Sequence, residues 1–199
     1  MEGKLHSKKL TYELWKDFEE LFNRHNGVRG GCWCTFYLCK SSQFDKMSRE
    51  ERREYHKRLI QTGKSTGILI YLDEKPVGWC QVAGPKLIHR FDTGRDYSKL
   101  NLQDNEKPDW RISCIFTDKN HRKQGIGKFA ASEAMKYIES EGGGVVEVFP
   151  FDLSYRGITG MQHNGSVSLF KNLGFNEVTR LGKNTVLMRK TIGGRDGQT

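Results

Sequence analysis

Nowhere does the chain carry an apolar run approaching the ~18 residues that a membrane span needs. Its opening, Met-Glu-Gly-Lys-Leu-His, also lacks an apolar core of signal-peptide length. A cytoplasmic location with no membrane association is therefore expected. Cysteine is sparse and odd in number: Cys32, Cys34, Cys39, Cys80 and Cys114. Without a secretion signal, that count points to reduced thiols rather than a disulfide framework. Structural zinc favours Cys pairs spaced by two to four residues, whereas Cys32-Trp-Cys34 is spaced by one and no His follows Cys39 at ligand spacing, so no metal is expected. Cys80 and Cys114 fall in strand-like runs and read as small buried apolar residues. Also missing are an aromatic-rich RNA motif and a helix-turn-helix pattern, so the net charge of +9 does not by itself call for nucleic acid.

What is present suits one compact domain. At 199 residues and 36% hydrophobic, the chain can bury a full core. Residues 1–190 are expected to form the domain and 191–199, polar and Gly-rich, a frayed tail. Leu10, Leu14, Phe18, Leu21 and Phe22 have the spacing of a helix with one buried face. A loop rich in Gly, Cys and aromatics follows (27–44). Ser48-x-x-Glu51 is a capping box that opens a second, charged helix to about Gln61. Ile68 to Leu72 and Val77 to Val82 are strand-like, joined by a four-residue turn. A polar, irregular stretch from Gly84 to Asp109 is long for a connection inside a domain and is expected to border a binding pocket. Trp110 to Thr117 is the next strand. A helix from Lys128 to about Glu141, a Gly-Gly-Gly stop and the buried strand Val145 to Phe149 come after it.

Between that strand and helix stands His121-Arg-Lys-Gln-Gly-Ile-Gly127. A helix start carries unpaired N–H groups and about half a positive charge, so it binds an anion such as a pyrophosphate. Gly125 and Gly127 allow close approach of the backbone, and Lys119, Arg122, Lys123 and Lys128 add charge of the right sign. A Walker loop is excluded, because Arg122 stands where its first glycine belongs and Phe129 where its Ser or Thr belongs. A dinucleotide fingerprint is weakened rather than removed: Ala130 fills its third glycine position only if the helix begins at Gly125, with Glu147 at about the spacing of its acidic residue.

A second segment, Asn164 to Phe175, reads as a short helix with Val167, Phe170 and Leu173 on one face, closed by Gly174. The pattern Arg122-x-x-Gly125-x-Gly127, followed after one strand by Asn164, Phe170 and Gly174-Phe175, resembles the two signature motifs of the GNAT superfamily of N-acetyltransferases. Gly31-Cys-Trp-Cys34, with Gly78-Trp-Cys80 and Ser168-Leu-Phe170, is similar to a bacterial subgroup of that family. The resemblance implies an α/β (α+β) fold with a mixed, mostly antiparallel sheet splayed at its middle strands and flanked by about four helices. The element order agrees, except that the family's first strand is weak or missing here.

The resemblance also implies a function: transfer of the acetyl group of acetyl-CoA to a primary amine of a small molecule or peptide, by direct attack in a ternary complex. It implies a monomer or homodimer whose partners are acetyl-CoA and the amine, with no nucleic acid. By position, the coenzyme is held by Ile115, Phe116 and Thr117 on the strand edge, by Arg122, Lys123, Gln124, Gly125, Ile126, Gly127 and Lys128 at the helix start, and by Asn164 and Phe170. The strand N–H groups would hold the thioester oxygen as charge builds on it. Phe170 replaces the family's usual Tyr, which removes the customary proton donor to the leaving thiolate; Tyr155 or a cysteine is a substitute.

Presenting a lysine-like amine in neutral form at pH 7 costs about 4.6 kcal/mol, so a base is useful. Glu147, an acid within an apolar strand, is the first candidate, and an ion pair with a nearby Arg is the competing role for it. His163 and Asp152 are reserves. The aromatics of the Gly-Cys-Trp-Cys loop are expected to be partly exposed at the acceptor site. Two readings from other classes stay open: an acetyl-CoA binding or sensing module without catalysis, and a redox or metal protein built on Cys32, Cys34 and Cys39.

Overall fold

A computed structural model describes residues 3–154 and 163–193. The strands are β1 (Leu5–Lys9), β2 (Gly67–Leu72), β3 (Lys75–Ala83), β4 (Trp110–Thr117), β5 (Gly144–Val148), β6 (Asn176–Leu181) and β7 (Thr185–Ile192). The α-helices are α1 (Trp15–Asn23), α2 (Ser41–Lys46), α3 (Arg49–Gln61), α4 (Arg95–Ser98), α5 (Ile126–Ser140) and α6 (Val167–Lys171). All strands join one 7-stranded sheet in the order β1-β2-β3-β4-β5-β7-β6. Only β4 and β5 run parallel; every other pair is antiparallel. That topology disposes of the dinucleotide-fingerprint alternative, which requires a parallel, doubly wound sheet.

The period-two alternation of the strands sorts residues onto two cores. Ile68 and Ile70 of β2 pack with Ala130, Ala134 and Ile138 of α5 on one face. Leu69 and Tyr71 pack with Phe18 and Phe22 of α1 and with Trp33 and Trp79 on the other. Helix α3 starts as its sequence dictates: the Ser48 hydroxyl accepts from the Glu51 N–H at 3.1 Å, and the Glu51 carboxylate accepts from the Ser48 N–H at 2.7 Å.

Three expectations change. The strand that seemed weak or missing is β1, whose Leu-His-Ser-Lys-Lys sequence carries little β signal; it is a half-exposed edge strand, where charge is tolerated and discourages further pairing. Asp73-Glu74 alone joins β2 to β3, because β3 begins at Lys75 and admits Pro76 beside a bulge at Ile70/Tyr71. The stretch 84–109 is not structureless: it holds α4 and 3-10 turns at Arg90–Thr93 and Asp104–Glu106.

The sheet opens at its centre. Pairing of β4 with β5 covers only Trp110 to Ile112, against Val146 to Val148, after which the two strands part. The C-terminal half of β4 thus loses β5 as its neighbour on that side.

Candidate active site

Below that opening, α5 presents its N-terminus. Gly125 precedes the helix at φ 77°, a left-handed conformation that glycine adopts without steric cost. Its carbonyl accepts the first helical bond, from Phe129 N–H at 3.0 Å. The N–H groups of Ile126, Gly127 and Lys128 therefore have no acceptor within the helix. Arg122, Lys123, Gln124 and Lys128 stand exposed around this start, whereas the Ile126 side chain turns into the core and contributes only backbone. Asp118 fixes the approach to the loop: buried, it accepts from Asn120 N–H at 2.9 Å and from Arg24 Nε at 3.1 Å.

A groove of about 590 Å³ runs from this helix start between β4 and α6, lined by Ile115, Phe116, Thr117, Arg122 and Gly127 on one side and by Leu153, His163, Gly165, Ser166 and Leu169 on the other. Gly127 lets the helix lie open to it: a Cβ there would stand 3.7 Å from Ile115 Cγ2 and 3.8 Å from Thr117 Oγ1.

Several sequence-based assignments change at this level. The Ile115 amide donates to the His163 carbonyl at 2.5 Å, so it is not free to hold a thioester oxygen, although Ile115 still lines the groove. Phe170 is fully buried against Phe175, with ring centroids 5.2 Å apart; Ser166 and Leu169 are the residues near α6 that face the groove. Asn164 turns its amide to the Tyr37 hydroxyl, 2.8 Å from Nδ2 and 3.0 Å from Oδ1. Tyr155 lies outside the described residues.

Glu147 takes the competing role. Its side chain is fully buried and lines neither the groove nor the cavity beside it. One carboxylate oxygen accepts from Arg189 Nε at 2.9 Å and Nη2 at 2.7 Å. The other accepts from the Tyr97 hydroxyl at 2.8 Å and from Arg111 Nε at 3.3 Å. Parallel pairing sets Arg111 beside Glu147 and antiparallel pairing sets Arg189 beside it, a coincidence of register that no linear pattern encodes. Asp152 is likewise engaged: Ser154 and then Arg180 hold its carboxyl down to about 2.

A smaller cavity of about 220 Å³ adjoins the groove, and His163 lines both. Its walls are Val28, Arg29, Cys32, Cys34, Phe36, Tyr37, Phe44, Cys114 and Asn164. The Gly-Cys-Trp-Cys loop builds most of it. Trp33 is buried in the core rather than exposed, stacked on Phe22 at 5.6 Å, while Phe36 and Tyr37 are half-buried. Residues Val28, Arg29, Trp33 and Cys34 all have positive φ, a costly backbone for non-glycine residues that surrounding packing must impose. The stretch 84–109 buttresses this wall without lining it: Arg90 donates to the Phe36 carbonyl at 3.1 Å, and Phe91 stacks on Tyr37 at 4.4 Å.

His163 Nε2 is buried and has no hydrogen-bond partner among the described residues. Burial, then the positive charges of Arg29 and Arg122, push its imidazole down to about 4, so it is neutral at pH 7. Burial pushes the Tyr37 hydroxyl up to about 12. No carboxylate lines this cavity among the described residues, and Arg29 at its exposed edge is its one full charge.

Comparison with known proteins fits this geometry. The sequence profile described as "Acetyltransferase (GNAT) family" matches residues 12–175. No curated protein sequence matches the chain. Among solved structures, a putative acetyltransferase of the GNAT family from Desulfovibrio desulfuricans superposes with a TM-score of 0.57 at 10% identity, over 96% of this chain and 100% of that one. The PaiA N-acetyltransferase of Thermoplasma acidophilum, solved with coenzyme A, gives 0.53 at 13% identity, over 94% and 99%. YncA of Salmonella typhimurium, a putative acetyltransferase solved with acetyl-CoA, gives 0.53 at 10% identity, over 98% and 98%.

Proposed function

Because this chain belongs to the acetyltransferase (GNAT) family, we propose that it transfers the acetyl group of acetyl-CoA to a weakly basic primary amine seated in the smaller cavity, with His163 as the general base. The observation that carries this reading is the position of His163: a neutral, buried ring nitrogen, without a hydrogen-bond partner among the described residues, in the wall shared by groove and cavity.

The groove has the chemistry for the cosubstrate. Open N–H groups of Ile126, Gly127 and Lys128, with Arg122 beside them, suit a pyrophosphate. Past the Ile115 amide that His163 takes, the β4 edge at Phe116 and Thr117, with the apolar surface of Ile115 and Leu169, suits an extended amide-containing arm. Acetyl-CoA, when bound, supplies the activated acyl group as a thioester. The residues 1–190 act in this reading as one catalytic domain.

The cavity limits the acceptor. No carboxylate among the described lining residues stabilises an ammonium, the Phe36 and Phe44 rings already carry the Arg90 guanidinium, and Arg29 opposes a second cation. A lysine-like amine with pKa near 10.4 costs about 4.6 kcal/mol to present neutral at pH 7, whereas the α-amine of a peptide, near 8, costs only about 1.4. The favoured class is therefore a short peptide's α-amine or an arylamine with an apolar substituent, and a carboxylate on it would meet Arg29. His163 takes the proton at Nε2 as the amine attacks. Phosphate beside Arg122 and a carboxylate beside Arg29 would both offset the charges that depress its pKa, moving the base toward the working pH only in the ternary complex. With Phe170 buried and lacking a hydroxyl, the leaving thiolate takes its proton from solvent, and positioning supplies most of the rate.

The test is loss of the acetyl-CoA thioester in the presence of α-amino acids, dipeptides, arylamines and simple alkylamines, with the product identified by mass, for wild type and His163→Gln. Turnover of dipeptide or aryl acceptors, lowered at least ~10²-fold by the substitution with acetyl-CoA affinity retained, is the expected result. Preference for alkylamines would refute the acceptor class. Thermal stabilisation by acetyl-CoA with no turnover of any amine would favour the non-catalytic sensing module.

A further inference from the structure

The acetyl-transfer reading gives no role to the thiols of the smaller cavity. Cys34, in the loop after α1, and Cys114, on β4, bring their Sγ atoms to 3.2 Å across the cavity wall although 80 positions apart. Both are buried, and both line the cavity, which gives small molecules a route to them. The pairing is built rather than incidental. Gln81 donates from Nε2 to the Cys34 carbonyl at 3.0 Å and accepts from the Ser113 hydroxyl at 2.8 Å, so a buried polar chain ties the loop to β3 and to the residue preceding Cys114. On the other side the neighbouring Trp33 carbonyl accepts from His56 Nδ1 at 2.6 Å. The remaining buried thiols are not so arranged: Cys39 donates to the Thr35 carbonyl at 3.4 Å, and Cys80 lies in the core beneath the sheet.

We propose that Cys34 and Cys114 are a paired oxidation site, converted to an internal disulfide by a low-molecular-weight disulfide entering through the acceptor cavity. One cysteine, losing its proton, attacks a sulfur of the incoming disulfide RSSR; the bond between its two sulfurs breaks and RS⁻ leaves with that proton as RSH. The second cysteine then attacks the protein sulfur of the mixed disulfide and releases the second RSH. Two protein thiols are oxidised and one small disulfide is reduced to two thiols. Closing from 3.2 Å to the ~2.05 Å of a disulfide brings the sulfurs about 1.1 Å closer. Burial raises the Cys34 thiol well above its ordinary pKa, so Cys34 rests as a thiol and does not act as a standing nucleophile. The link would cross the wall of the cavity that holds the acceptor and so lower turnover.

The experiment incubates the folded, full-length protein with glutathione disulfide, removes the excess, and reads intact mass, free thiols after denaturation under alkylating conditions, and a proteolytic map. The expected result is loss of two hydrogens, a thiol count falling from five to three, and one linked peptide pair containing Cys34 and Cys114, all reversed by dithiothreitol. Cys34→Ser or Cys114→Ser abolishes the link, whereas Cys32→Ser retains it. Five thiols persisting, a stable mixed disulfide with glutathione, or a linked pair of other composition would overturn the proposal. The wild-type map needs no variant to fold, and none of these readouts depends on acetyl transfer.

Discussion

Replacing Glu147 by Gln separates an ion-pair role from a catalytic one. The carboxylate is fully buried and accepts four hydrogen bonds, from Arg189 Nε and Nη2, Arg111 Nε and the Tyr97 hydroxyl. Arg111 is itself 1% exposed and is completed by the Ile88 carbonyl at 2.8 Å and by the Asp92 carboxylate. An amide keeps the shape but removes the negative charge, and it aims an N–H₂ donor at guanidinium groups that can only donate or at the Tyr97 hydroxyl, which already accepts from Arg111. Removing one partner of a buried pair costs about 3–5 kcal/mol, because the remaining charge stays buried without compensation. Against a total stability of ~5–15 kcal/mol that is a large share. For a domain of this size it corresponds to a fall in Tm of roughly 6–20 °C. Urea unfolding checks it: the midpoint should drop with an unchanged m-value. Replacing Arg189 by Met in the same chain should recover part of the loss, since it removes one of the stranded cations. The variant that remains folded at low temperature should keep the wild-type pH dependence of turnover. A Glu147→Gln protein within 0.5 kcal/mol of wild type, but with turnover reduced ~10²-fold, would refute the structural role and restore the base.

Other outcomes follow from the same geometry. Gly127→Ala should fold as well as wild type, since the added Cβ makes only ordinary contacts at 3.7 and 3.8 Å and alanine favours the helix by up to ~1 kcal/mol, yet it should bind acetyl-CoA more weakly because the methyl faces the groove; a melting curve with and without acetyl-CoA reads both effects. Stability should fall as pH drops from about 6.5 to 4. His56, held neutral by burial between the Trp33 carbonyl and the Ser65 hydroxyl, has its pKa pushed down to about 4, so the fold keeps its full contribution above 6.5 and loses roughly 3 kcal/mol as the unfolded chain takes up the proton first. Urea midpoints measured across that range, steep in wild type and flatter in His56→Gln, check the sign and the size.

Local chemistry was legible in the chain. The glycine-started helix α5, the capping box at Ser48, the strand Trp110–Thr117 and the alternation of β2 depend on residues close in sequence, where backbone sterics, orphan N–H groups and side-chain periodicity act directly. So were the two motifs that carry the family resemblance. What escaped depends on register and packing between distant segments. β1 is a strand because β2 offers it an edge, not because Leu-His-Ser-Lys-Lys prefers extended backbone. Glu147 looks like a poised acid until the sheet sets Arg111 on one side and Arg189 on the other. Phe170 stands at the right motif position but faces the core, and the Ile115 amide is taken by His163. His163 passes for a loop residue in the sequence. Only folding strips it of water, places Arg29 and Arg122 near it and leaves its Nε2 without a partner among the described residues, and burial and long-range charge decide its protonation where no linear pattern does.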